Sequence, residues 1–401
     1  MADPRPAGDE RPAAGERPAA GEWPAAGEWL VASPGSVVGF VGLGNMGLPM
    51  AKRLARAGYR VQGYDLSALA GDGLRDEPGA AVVGSAAEVA REAAVAILML
   101  PGSPSVEAVL LEQGLLAALS PRTLLVDMSS SEPARTRALA VRAGEYGVTL
   151  LDAPVSGGIR GAVQGALTIM VGGPSEACEA IEPLLRSLGS RVVRCGEAGS
   201  GHAVKALNNL MSAAHLLASS EAIQIGQAFG LDPRVILDVV NGSSGRSGST
   251  MTKWPDFILT GSYDSGFRLR LMVKDMRIAI ELAESAGVSA RLNSAALELW
   301  SQAEQALPED ADHTEIARWL EATGERRLAG SWRSGVRGGQ GFVAMITSEA
   351  LITATTSLPS ARPSSLTAST VIEATRRTLP ASISTLAMAS PLLMLVTRAG
   401  I

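Results

Sequence analysis

The chain has 401 residues, 46% hydrophobic and 19% charged, enough for two ordinary domains with a core each. Three histidines (His202, His215, His313) and two cysteines (Cys178, Cys195) are too few and too scattered for a zinc cluster or a disulfide framework, so no metal is expected. A net charge of -5 gives no basic surface to neutralise a phosphate backbone, which argues against nucleic acid as a partner.

The N-terminus repeats a hexapeptide, Glu10–Gly15, Glu16–Gly21 and Glu22–Gly27, whose Pro and Gly forbid a continuous helix. Residues 1–34 are therefore expected to be a disordered tail, a tolerated expansion in the simpler reading and a docking peptide marked by Trp23 and Trp29 in the other. No basic segment followed by an apolar one opens the chain, and no uncharged apolar stretch reaches the roughly 18 residues of a membrane span. A cytoplasmic protein without a membrane partner is the expectation.

From Val37 to about Arg194, short apolar runs alternate with stretches of helical spacing. Strands are predicted at Val37–Val41, Arg60–Tyr64, Ala80–Val83, Val95–Leu100, Leu124–Asp127, Val148–Asp152, Leu167–Val171 and Arg191–Val193. The first intervening helix carries Leu48, Ala51, Leu54 and Ala55 on one face and stops at Gly58. This alternation predicts an α/β Rossmann-type, doubly wound and mostly parallel sheet over residues 35–198.

After Gly199 the strand signals fade. One long helix is predicted from Ser200 to Phe229, ended by Gly230. Asp232 and Pro233 supply an N-cap and a first-turn proline for the next helix, Arg234–Val240. Leu269–Ser285, Leu292–Gln305 and His313–Glu321 follow, so residues 199–327 are expected to form an all-α domain. The Ser- and Thr-rich stretch with scattered Pro beyond it makes residues 328–401 a low-complexity, disordered appendage.

Strand Val37–Val41 runs into Gly42, Leu43, Gly44, Asn45, Met46 and Gly47, then a helix, and the second strand ends in Asp65. Gly42 permits the tight turn, Gly44 lets backbone N–H groups approach a pyrophosphate, and Gly47 lets the helix pack on the strand. Asp65 stands where a carboxylate accepts from an adenosine 2′-hydroxyl. It would repel a 2′-phosphate, and Leu66-Ser67-Ala68 offers no cation to hold one, so NAD is favoured over NADP.

Three further motifs follow. Asp152-Ala-Pro-Val-Ser-Gly-Gly158 places the Ser156 hydroxyl beside the backbone donors of Gly157 and Gly158, a concavity suited to a small carboxylate. Gly199-Ser-Gly-His-Ala-Val-Lys-Ala-Leu-Asn-Asn209 puts Lys205 and Asn209 four apart on one helix face. Leu271-Met-Val-Lys-Asp-Met-Arg277 carries Lys274 and Asp275. With the glycine turn and in this order, the motifs resemble the β-hydroxyacid dehydrogenase family, on the side of its 3-hydroxyisobutyrate dehydrogenase members and related to 6-phosphogluconate dehydrogenase. The match spans residues 36–323.

The resemblance implies that Lys205 is the catalytic acid/base, that Ser156, Gly157, Gly158 and Asn209 bind substrate, and that Leu100, Pro101, Ser130 and Lys274 join the glycine turn and Asp65 in holding the cofactor. It assigns His202 no proton transfer, which leaves a capping or packing role. Arg246 is either a carboxylate contact or part of a helix-terminal loop. The implied reaction is NAD-dependent oxidation of a small 3-hydroxy acid to its semialdehyde by a homodimer or homotetramer. The alternatives are reduction of another small semialdehyde, tartronate or succinic, and a catalytically inactive dehydrogenase fold that serves as a binding module.

Overall fold

The computed structural model describes Trp29 and residues 32–324. The appendage 328–401 lies outside the described residues, as does most of the expected N-terminal tail. Trp29 is an exception: its side chain is buried, and its indole N–H donates to Thr149 Oγ1 at 3.1 Å. A large aromatic ring with a satisfied N–H is good core material wherever the chain delivers it. The repeat composition around Trp29 hid that role.

The sheet runs β1 (Val37–Val41), β2 (Arg60–Tyr64), β3 (Ala80–Val82), β4 (Ala93–Leu98), β5 (Leu124–Asp127), β6 (Thr149–Asp152), β7 (Val155–Ser156), β8 (Thr168–Gly172) and β9 (Arg191–Gly196). Spatial order is β3-β2-β1-β4-β5-β6-β8-β7, with β9 also on β8. The first six strands are parallel to one another. β8 then turns antiparallel to β6 and β7 but parallel to β9. The expected doubly wound sheet is present, followed by the helical domain.

Continuous apolar runs form the central strands because helices cover both faces. Alternation sorts the side chains: Val38, Phe40, Val95, Ile97, Leu124 and Val126 join one core, while Val41, Ala96, Leu98 and Leu125 join the core on the opposite face. Helix Gly47–Arg56 buries Met50, Ala51, Leu54 and Ala55 against the first of these.

The long helix spans Ser200–Ala228 and packs on helices Leu269–Ser285 and Arg291–Ala306 around a third core that includes Leu210, Leu216, Met272, Met276 and the fully buried Trp300. Asp232 caps the helix Pro233–Asn241 by accepting from the Arg234 amide at 2.8 Å, as its position predicts. The π-helical segment Ser249–Ile258 has no counterpart among the predicted elements, because Pro255 and a five-residue spacing blur the 3.6 period. The helix predicted from His313 begins as a 3₁₀ turn, His313–Glu315, and continues over residues 316–324. Among the described residues no helix is long and apolar enough to cross a membrane.

Candidate active site

The order β3-β2-β1-β4-β5-β6 reverses direction between β1 and β4, so the crevice beyond their C-terminal ends is the natural ligand site of such a sheet. The glycine turn fills one wall. Gly42 has φ +97°, which side-chain-bearing residues avoid, and a methyl group there would overlap the Met99 carbonyl. A methyl group on Gly47 would overlap the carbonyl of Gly42. Both glycines are thus demanded by the fold.

Gly44 differs. A Cβ there meets no protein atom within 4 Å, so nothing in the chain requires glycine at that point. The open space lies against Asn45 and Met46, at the positive dipole end of helix Gly47–Arg56, where the Leu48 amide already donates to the Gly44 carbonyl at 3.0 Å. These residues fit a dinucleotide pyrophosphate. At the end of β2, Asp65 accepts from the Leu43 amide at 2.7 Å and the Ser67 amide at 2.8 Å. Those bonds fix the carboxylate beside the turn, and each oxygen retains a lone pair for a ribose hydroxyl.

Lys274 approaches the opposite rim from helix Leu269–Ser285. Its Nζ donates to the carbonyls of Pro101, at 3.0 Å, and Ser130, and stands 3.1 Å from Asp275 Oδ1. Pro101 and Ser130 follow β4 and β5, so three residues expected to line the cofactor meet at one point. Leu100 has left the strand on which it was predicted, and its amide donates instead to Ser129 Oγ at 2.9 Å.

Asp152, at the end of β6, is completely buried and organises the junction of sheet and helices. Its two oxygens accept from the amides of Gly199, at 2.6 Å, and His202, at 2.8 Å, which caps the long helix. Gly201 must be glycine because a Cβ would overlap the Met170 carbonyl. His202 is 1% exposed, with Nδ1 2.9 Å from Thr136 Oγ1 and Nε2 3.1 Å from the Ser129 carbonyl. Both ring nitrogens are occupied inside the protein, the packing role expected of this histidine.

One turn further, Lys205 Nζ donates to the Val155 carbonyl at 2.7 Å. Ser156, Gly157 and Gly158 come directly after that carbonyl, so the expected base and the expected carboxylate loop meet. Ser156 is half-buried, Gly157 and Gly158 are exposed, and a Cβ on Gly158 would meet nothing. Burial pushes the Lys205 pKa down, with Asp275 opposing and Lys274 reinforcing the shift.

Asn209, one turn beyond Lys205, donates to Asp275 Oδ2 at 2.6 Å and accepts from the Asn208 amide nitrogen at 3.0 Å. Asp275 is therefore a further member of the site, buried to 1% exposure; the Lys274-Asp275 motif contains it, but the sequence assigned it no role. Asp275 Oδ1 stands 3.1 Å from the Lys274 ammonium but accepts no hydrogen bond among the described residues. The chain Pro101–Lys274–Asp275–Asn209 links the cofactor rim to the face that carries Lys205. Arg246 stands exposed after helix Pro233–Asn241 and makes no hydrogen bond or ion pair to this cluster. Among the described residues no group of three or more His, Cys, Asp or Glu is placed to hold a metal.

Residues 37–196 match the family model described as the NAD binding domain of 6-phosphogluconate dehydrogenase. Residues 199–320 match that described as the NAD-binding of NADP-dependent 3-hydroxyisobutyrate dehydrogenase. The chain is 38% identical over 270 residues to the NAD-dependent L-serine dehydrogenase of Pseudomonas aeruginosa, covering 66% of this chain and 90% of that protein. It is 38% identical over 283 residues to the 3-hydroxyisobutyrate dehydrogenase of the same organism, covering 69% and 94%. Among solved structures, a 3-hydroxyisobutyrate dehydrogenase of Mycobacterium tuberculosis with L-serine superposes with a TM-score of 0.67 at 32% identity, over 71% of this chain and 99% of that one. With both halves matched in order around one cleft, the chain belongs to the β-hydroxyacid dehydrogenase family of NAD-binding oxidoreductases.

Proposed function

We propose that this dehydrogenase oxidises a small 3-hydroxy acid of the 3-hydroxyisobutyrate type to its semialdehyde, with Lys205 as the acid/base. The observation that carries this reading is the placement of the Lys205 amine, partly desolvated and 2.7 Å from the peptide that opens the Ser156–Gly158 loop, with Asn209 one turn away. NAD supplies the hydride acceptor when bound. Gly42, Leu43, Gly44, Asn45, Met46, Gly47 and Asp65 hold its pyrophosphate and adenosine ribose. Leu100, Pro101, Ser130 and Lys274 line its nicotinamide end.

Ser156, the Gly157 and Gly158 amides and the free capacity of Asn209 hold the substrate carboxylate, which aims the carbinol at Lys205. As the C–H electron pair leaves as hydride, the hydroxyl proton passes to neutral Lys205. In the reverse direction the protonated amine returns it to the developing alkoxide. Burial favours the neutral amine by penalising charge, while Asp275 keeps the ammonium form accessible, so one group serves both directions.

L-Serine is the second reading, favoured by the L-serine named for two of the relatives. It carries the same hydroxymethyl group beside a carboxylate. A cytoplasmic homodimer or homotetramer completes the proposal, and light scattering of the purified chain tests the assembly. For the chemistry, Lys205→Ala is expected to lower turnover of 3-hydroxyisobutyrate at least about a hundredfold while NADH binding, followed by fluorescence, persists. Unchanged turnover would remove Lys205 from its role.

A further inference from the structure

Lys205 and Asn209 are not the last polar residues on their face of the long helix. Ser212 follows Lys205 by two turns and lies in line with it, about 10 Å along the axis. Its hydroxyl accepts from Lys253 Nζ at 2.7 Å. Lys253 is half-buried and comes from the π-helical segment Ser249–Ile258. Lys205, Asn209, Ser212 and Lys253 thus form a polar track that starts at the acid/base and ends at a second amine.

That second amine has no counter-ion among the described residues. Among the described residues no carboxylate comes within ion-pair distance of Lys253. Asp312 influences it through space, but the Asp312 oxygens are engaged by the Ser265 hydroxyl, by the amides of Gly266, Phe267 and Thr314, and by the Thr314 hydroxyl. Burial pushes the Lys253 pKa down to about 8, so its charge is maintained at a cost. An unpaired ammonium is expensive where a Met of similar shape would pack. One N–H is used on Ser212, and two donors remain.

We propose that Ser212 and Lys253 form an anion subsite at the far end of the substrate cleft, which takes the second carboxylate of a short hydroxy dicarboxylic acid. The identity of the reacting end rests on the dehydrogenase reading above. The span agrees: about 10 Å between the two helix positions, less one hydrogen bond of about 2.8 Å at each end, leaves about 5 Å for the substrate. A hydroxymethyl group and a remote carboxylate on a four-carbon diacid skeleton cover that distance. 3-Hydroxyisobutyrate, whose methyl group stands where the second carboxylate would be, leaves Lys253 unanswered.

The decisive pair of substrates is 3-hydroxyisobutyrate and 2-(hydroxymethyl)succinate, which differ only by a carboxylate on that methyl carbon. NADH formation is measured with the full chain, Lys253→Met and Lys253→Arg. In the wild type kcat/KM is expected to favour the diacid at least about tenfold, through KM; Lys253→Met brings the ratio near one, and Lys253→Arg keeps most of it. A ratio cancels any general loss of folded enzyme. A wild-type ratio at or below one, or one unchanged in Lys253→Met, overturns the subsite. If neither acid yields NADH, the 3-hydroxyisobutyrate-type substrate reading fails, and calorimetry with succinate decides the subsite by itself. Binding lost in Lys253→Met supports it, and equal binding in wild type and variant overturns it.

Discussion

The turn Gly42–Gly47 and the cluster around Lys205 occupy the two halves of one cleft and are assembled in opposite ways. The turn is contiguous backbone: a strand, a tight reversal and a helix start, with glycines where the chain crowds itself. The cluster is made of side chains from separate segments, with Lys205 and Asn209 on the long helix, the Val155 carbonyl at the sheet edge, and Lys274 and Asp275 from a later helix. A backbone site is written in local sequence, whereas an acid/base site depends on how buried charges are paired across the fold.

The strongest way to break this comparison is at the glycines that the fold itself demands. Gly47→Ala forces a methyl group onto the Gly42 carbonyl and is expected to cost about 4 kcal/mol of stability in urea denaturation. A loss below about 1 kcal/mol would show that the turn relaxes freely. Next is Asp152→Ala, which strands the buried amides of Gly199 and His202 and should cost about 3 kcal/mol by the same measurement.

Gly44→Ala sharpens the contrast with Gly47. No protein atom opposes the new methyl group, so the melting temperature should hold while NADH affinity falls about tenfold by titration. Equal losses of stability at positions 44 and 47 would erase the distinction between a glycine kept for the fold and one kept for a ligand.

The subtlest expected effect is in the pH profile. Because burial lowers the Lys205 pKa, the neutral base accumulates below the ordinary lysine value of 10.5. The oxidation rate at saturating substrate should therefore rise with pH through one ionisation on the acid side of that value, and the rate of the reverse reduction should fall through the same one. An oxidation rate flat across that range, or rising only above 10.5, would detach the lowered amine from the chemistry.

Most strands of the nucleotide half were legible to within two residues at each end, although the short β7 was not. Strands β1, β2 and β5 and the helix stop at Gly58 follow from apolar runs and glycine, since each is decided within a few positions of itself. Lys205 and Asn209 were legible as a pair because four residues make one helical turn. Asp275 was not, because its significance lies in a 2.6 Å contact with a residue 66 positions away. Asp152 stood in a quoted motif, yet its capping of the long helix became visible only with the amides of Gly199 and His202 in place. Trp29 was assigned to a tail because composition is an average and burial is a property of one side chain.

By itself the sequence determined the doubly wound sheet, the helical second half, the glycine turn with its acidic partner, and the candidates for acid/base and carboxylate contacts. These rest on periodicity, backbone sterics and short motifs, all of which are local. Only the tertiary structure decided which charges face one another: that Lys205 rests on a sheet-edge carbonyl, that Lys274 spans to the loops after β4 and β5, and that Lys253 donates to Ser212, beyond Asn209 on the long helix. Burial and Coulomb interactions act through space, so residues far apart in the chain set each other's charge states once folding has brought them together.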